Sequence, residues 1–271
     1  MISLRMAAGV MSLGAIAACG GTAMNASSPK DVLLTAARLT TSESFRIQLA
    51  ATETFSASGP ASSQLGALSA QPIEVMATLD VKDRNNFISH LTTAVAGRNI
   101  DVQVVAFGGS LFVSTNSGVS YQSAPNVGIP QSQYGPDSAL QYLQSVGNVS
   151  DTGAGTSNGV GVEKYHAQLD QAKITSVIKS ALASLKSPLF DKVLSTMQFT
   201  GGSLDAAVDH AGRLVTDSGV IDVSMDLGAI DATYSGTALQ LHETVSSHFY
   251  DYGAPITVSR PSNVTGSVAL P

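Results

Sequence analysis

Five histidines, His90, His166, His210, His242 and His248, are the residues best suited to metal or acid–base chemistry. His242-Glu243 followed by His248 superficially resembles a zinc-protease site. That site needs His-Glu-x-x-His on a helix, so that both imidazoles share a face. Here the second histidine comes two residues late, in a segment with the alternation of a strand. On a strand the two rings share a face about 20 Å apart at about 3.3 Å per residue, too far for one metal ion. The glycines of Gly153-Ala154-Gly155-Thr156-Ser157-Asn158-Gly159 are one residue off a dinucleotide loop. No lysine completes a phosphate loop, and no hydrophobic strand leads into the segment. No serine stands in Gly-x-Ser-x-Gly. The acidic residues Glu74, Asp80, Asp222 and Asp226 fall on polar strand faces, where solvation explains them. The sequence therefore points to no catalytic residue, no metal site and no cofactor. A spatially assembled hydrolase site is the enzyme alternative.

The chain's single cysteine, Cys19, is a stronger chemical signal. Met1 to Arg5 is a short basic start, and Met6 to Ala18 is uncharged and apolar, the two parts of a secretory signal. That apolar stretch is too short to span about 30 Å of hydrocarbon, which takes roughly 20 residues. It ends Ile16-Ala17-Ala18-Cys19-Gly20, which resembles a bacterial lipobox. Residues 1–18 are then a cleaved signal, and Cys19 carries a diacylglyceryl group with two acyl chains such as palmitate. The chain is expected on the extracytoplasmic face of a cell membrane, since two acyl chains anchor where one binds only marginally. Residues 19–28 read as the lipidated cysteine and a small, polar tether.

Positioning falls to residues 29–271, read as one domain. Of 271 residues, 44% are hydrophobic and only 13% charged, and the net charge is −6. That composition excludes a highly charged disordered chain, and the lack of a basic stripe sets nucleic acid aside. Ser28-Pro29 opens a helix running to Thr41. Period-two alternation then predicts strands from Phe45 through Ile47, Leu49 and Ala51; from Ile73 through Val75, Ala77, Leu79 and Val81; and from Ile100 through Val102 and Val104. Phe87–Val95 and Leu111–Thr115 add strands, with Gly108-Gly109 a hairpin signal. Phe55–Pro72 and Gly147–Gly161 read as loops. Leu140, Leu143 and Val146 lie on a helix over 136–146. Val177 and Ile178 lie on an amphipathic helix from Ile174 to Leu185, and a short helix is predicted over 188–197. Strands over 162–169, 204–208, 214–223 and 239–250 complete the reading, with Ile221, Val223 and Met225 on one face. The predicted fold is α+β: a single curved antiparallel sheet, a half-barrel, with helices covering its concave apolar face.

The order of several weak features resembles the LppX/LprG-type lipoproteins of mycobacteria and other actinobacteria, within the wider LolA/LolB-like half-barrel group. These are the lipobox and tether, the opening run Val32–Leu49, Ala139-Leu140-Gln141-Tyr142-Leu143 before a glycine-rich loop, and Val162-Glu163-Lys164-Tyr165-His166. Val208-Asp209-His210-Ala211-Gly212-Arg213-Leu214 and Phe249-Tyr250-Asp251-Tyr252-Gly253-Ala254-Pro255-Ile256 complete it. Alternation alone leaves a packed core and a cavity equally open. Small residues such as Ala36, Ala37, Ala77, Ala181 and Ala206, with no tryptophan, leave volume. The resemblance implies an apolar cavity between sheet and helices, and carriage of acylated lipid across the envelope. Its lining would be the strand and helix residues Ile47, Leu49, Val75, Ala77, Leu79, Ile100, Val102, Val104, Leu140, Leu143, Val177, Ile178, Ile221, Val223 and Met225. Expected partners are an acylated lipid or glycolipid, the membrane through Cys19 and an envelope transporter. The alternative function is an envelope sensor or interaction module acting through a protein partner.

Overall fold

In the computed structural model the described residues are 28–66, 71–95, 98–124, 140, 143, 145–183, 192 and 194–267. Cys19 and the signal segment lie outside them. Helix α1, Pro29–Thr40, begins where the Ser28 side chain accepts the Asp31 N–H, with Pro29 at the first helical position. Pro29 lacks the N–H that a helix start would leave unpaired, and its fixed φ suits the first turn. The helix is tied down at both ends. Lys30 Nζ donates to the Val146 carbonyl at 2.9 Å, and Thr40 Oγ1 accepts the Leu214 N–H at 3.0 Å.

Among the described residues, twelve strands form one open sheet in the order β12-β6-β5-β4-β3-β2-β1-β11-β10-β9-β8-β7. The central pair joins the first long strand, β1 (Phe45–Ser58), to the last, β11 (Ala238–Tyr250), from Arg46 opposite Tyr250 to Ser58 opposite Ala238. One wing descends from β1 through β2 (Ile73–Asp83), β3 (Asn86–Val95), β4 (Arg98–Phe107), β5 (Ser110–Ser114) and β6 (Tyr121–Ala124). The other descends from β11 through β10 (Leu214–Asp226), β9 (Met197–Asp209), β8 (Val160–Leu169) and β7 (Val146–Ser157). Pairing is antiparallel except at the rim, where β12 (Val264–Ser267) runs parallel to β6. Register shifts at Leu214/Thr216, Asp222/Val223 and Asp151/Gly153 bend the long strands, so the open sheet is curved.

The alternation predicted from sequence decides which face is buried. On β1, Phe45, Ile47, Leu49, Ala51 and Phe55 are buried, while Gln48, Ala50 and Thr54 are exposed. β2 follows the same parity, and residues of one face meet across the strands: Leu49 lies opposite Ala77, which lies opposite Leu91. Helix α1 lies against β7, β9 and β10, and α2 (Gln171–Ala183) against β9. Asp170 starts α2 by accepting the Ala172 and Lys173 N–H groups.

Three expectations need correction. β1 runs on to Ser58, where a loop was predicted from Phe55, because its ladder with β11 continues beyond the apolar run; a 3₁₀ turn follows at Ser62–Leu65. Residues 147–161 are not a loop: β7 and the start of β8 form a hairpin turning at Asn158-Gly159. β7 is an edge strand bonded only to β8, so no face of it is wholly buried and its composition carries no alternation. β9 starts at Met197, before the predicted Leu204, with Gly201-Gly202 inside it. A Cβ on Gly202 would stand 2.7 Å from the Val220 carbonyl oxygen and 2.8 Å from the Phe199 ring, so the strand closes there only on glycine. Most of the helices predicted over 136–146 and 188–197 lies outside the described residues, but their last residues are not helical: Val146 opens β7 and Met197 opens β9, each held by the ladder to its neighbouring strand.

Candidate functional site

The inner face of the sheet gathers apolar side chains from both wings into one buried cluster. Ile47, Leu49, Val75, Ala77 and Leu79 of β1 and β2 belong to it, with Val104 of β4 and Val223 and Met225 of β10. Leu140 and Leu143, at 5% and 0% exposure, reach the same cluster from the segment between the wings. Val102 and Ile221 are partly buried against it. Ile100 on β4 and Val177 on α2 are half-buried. The side chain of Ile178 lies outside the described residues. Between the larger residues stand Ala51, Ala77, Ala167 and Ala206, all buried and all small.

Polar groups interrupt this face. Glu53 on β1 and Glu243 on β11 are direct cross-strand partners, at 0% and 6% exposure. Residues so paired have Cβ atoms about 5 Å apart. Neither carboxylate oxygen of Glu53 has a hydrogen-bond partner among the described residues, and neither has the Ser247 hydroxyl on the same face. Burial pushes the Glu53 carboxyl up to about 8, with the nearby Glu243 charge acting in the same direction. Burial alone raises Glu243 to about 7. Removing a carboxylate from water favours its neutral acid, and two neighbouring carboxyls resist ionising together. The pair therefore keeps at least one proton near neutrality, and can both donate and accept a hydrogen bond.

These glutamates were missed in the sequence, although a signal exists. Glu53 continues the parity of Ile47, Leu49 and Ala51, and Glu243 shares the parity of Leu239, Leu241 and Val245. Extending both strands by period two places each carboxyl on the apolar face.

The outer face differs. Near β5 it is covered by the C-terminal segment, with Ile256 and Val258 packed on Val105, Phe112 and Tyr121, and Arg260 5.5 Å above the Phe112 ring. Across β1, β11, β10 and β9 it is open, with a depression of about 340 Å³ bordered by Thr52, Ser203, Asp205, Ser218, Thr244 and Ser246. Three histidines pair with aspartates on this outer face: His242 Nδ1 with Asp222 at 2.7 Å, His166 Nδ1 with Asp205 at 2.9 Å, and His90 Nε2 with Asp101 at 3.1 Å. His242 and His248 share this face, with His248 stacked on Tyr250 at 5.1 Å. Among the described residues no hydroxyl hydrogen-bonds to a histidine, so no nucleophile–base pair is formed. Nor do any three of His, Cys, Asp and Glu among them group to hold a metal ion. No helix among them is long and apolar enough to cross a membrane.

An open, curved, mainly antiparallel sheet with one apolar and one polar face defines the class of fold. Among solved structures, the chain is similar to LprF from Mycobacterium bovis, with a TM-score of 0.41 and 15% identity over 86% of this chain and 96% of that one. It is similar also to the Mycobacterium tuberculosis lipoprotein LppX, with a TM-score of 0.40 and 13% identity over 86% of this chain and all of that one. No family model and no curated protein matches the sequence.

Proposed function

We propose that this chain is a lipoprotein held by Cys19 on the extracytoplasmic face of a cell membrane, and that it binds acylated lipid or glycolipid and carries it across the envelope. In this reading the sheet is a half-barrel, helices cover its concave face, and the ligand's chains lie between them. The observation that carries the reading is the inner face itself: one buried apolar cluster that extends from Leu111 on β5 to Ala167 on β8. A surface of that breadth suits long hydrocarbon chains, since each buried CH2 contributes about 0.8 kcal/mol. The proposed function is binding rather than catalysis. Exchange with the membrane or with an envelope transporter would then run at equilibrium.

The test is solvent extraction of the purified Cys19→Ala protein followed by mass spectrometry. Removing Cys19 removes the protein's own acyl groups, so any released lipid is cargo. Acylated lipid near one molecule per chain is expected, and a lipid-free extract overturns the reading. The same substitution should move the protein from the membrane to the soluble fraction or stall its processing. Normal cleavage with full membrane retention would remove the anchor from the proposal. Val102→Trp distinguishes a chamber from a filled core. In a filled core the larger ring costs about 1–3 kcal/mol. In a chamber the melting temperature should hardly change while uptake of a fluorescent acyl probe falls.

A further inference from the structure

We propose that Glu53 and Glu243 form a hydrogen-bonding subsite inside the apolar face, one that takes the hydroxyl-bearing head group of an acylated ligand. The inference rests on the lipid-binding reading and deepens it. The pair sits at the centre of the sheet, on the adjacent strands β1 and β11. Its neighbours on the inner face are apolar: Phe55 and Leu241 in one adjoining row, Ala51 and Val245 in the other, with Ile73 beside Glu53 and Ile221 beside Glu243.

A filled core has no use for this pair. A buried polar group without a partner is destabilising, and native proteins satisfy nearly all such groups. Leucine would fill the same volume without that cost. Glu53 is nevertheless fully buried with both oxygens unpartnered among the described residues, and Ser247, four residues along β11, also offers an unpartnered hydroxyl at 4% exposure. These groups become satisfied when a ligand brings the missing partner.

The chemistry of the partner follows from the surroundings. No third metal-ligating residue joins the pair among the described residues, which disfavours a metal ion. The aliphatic and aromatic walls disfavour bringing in another charge. A neutral hydroxyl adds none, and it donates and accepts as a protonated carboxyl pair requires. The raised titration of both carboxyls, to about 8 and about 7, supports a pair that retains a proton near neutrality. A glycerol or sugar hydroxyl next to an acyl chain has this chemistry.

The test compares two probes with one acyl chain, monopalmitoylglycerol and methyl palmitate, by calorimetric titration of the full-length protein. The native chain should bind monopalmitoylglycerol about tenfold more tightly, the equivalent of roughly 1.4 kcal/mol. Glu53→Leu with Glu243→Leu should abolish that preference and leave methyl palmitate affinity unchanged or improved. Glu53→Gln with Glu243→Gln, which still donates and accepts, should keep most of the preference. If the leucine variant does not melt cooperatively, Glu53→Ala in the native background carries the same comparison. Equal binding of both probes by the native chain overturns the subsite and leaves lipid binding standing, as does a preference that survives the leucine or alanine substitutions. Failure of both probes to bind overturns the lipid reading, and the subsite with it.

Discussion

The two faces of β10 and β11 treat the same residue types in opposite ways. On the outer face His242 and Asp222 stand in register, 2.7 Å apart, with side chains 53% and 42% exposed. One residue along, Glu243 turns inward to meet Glu53, where water does not reach. Outside, solvent already stabilises each charge, so the pairing adds little. Inside, a charge must be neutralised, paired or given a ligand, because nothing else offsets its desolvation. A carboxylate on this sheet thus carries information through its parity: on the outer face water solvates it, and on the inner face it is cut off from water.

The contrast is broken most severely by putting a charge on the wrong parity. Leu241 is 2% exposed on the inner face, and its neighbour Gln240 is exposed on the outer face. Leu241→Asp should cost at least about 3 kcal/mol, combining lost apolar burial with an unpaired buried carboxyl. Gln240→Asp should stay within about 0.5 kcal/mol. Urea melts of both variants measure the difference, and similar costs would mean that the inner face is wet.

A smaller effect comes from the protons of the inner pair. Both carboxyls titrate higher in the folded chain, at about 8 and about 7, than the ordinary value of 4.5. The folded state therefore binds more protons than the unfolded state between about pH 4.5 and 8, and stability falls as pH rises through that window. The contribution of the pair is fully present below the unfolded value and is lost once both carboxyls ionise in the fold. The expected loss is on the order of a few kcal/mol, read as a fall in urea midpoint between pH 5 and pH 9. Glu53→Gln with Glu243→Gln should flatten the profile. A double variant with the native slope would assign the pH dependence to other groups.

How far the sequence reveals this arrangement depends on how strongly burial constrains each segment. β2 and β11 were legible because one face is buried along most of their length, forcing strict alternation on Ile73–Val81 and on Leu239, Leu241 and Val245. β7 was not, because an edge strand with no fully buried face can be built from Gly, Ser, Asp and Thr. The apolar members of the inner face followed from parity alone. Glu53 and Glu243 did not: a polar residue interrupts the hydrophobic run from which a strand is recognised, and His242-Glu243 first suggests metal chemistry. The partnering of β1 with β11, nearly two hundred residues apart, has no local signature, and without it the two glutamates are unrelated positions.

The smallest expected effect belongs to the outer-face histidines. An exposed ion pair contributes about 0–1 kcal/mol, and with both side chains of the His242–Asp222 pair well over one-third exposed the lower end applies. His166 and Asp205 are likewise open to solvent, at 37% and 67%. His248 rests on the Tyr250 ring and makes no ion pair or hydrogen bond among the described residues. His166→Ala, His242→Ala and His248→Ala, each made alone, should leave the urea midpoint within about 0.5 kcal/mol of native and acyl-probe affinity unchanged. Asp205 borders the outer depression, so His166→Ala is the most sensitive of the three. If it abolished function in cells while melting and acyl-probe binding stayed native, the depression would become a working site and the outer face could no longer be read as a solvated surface.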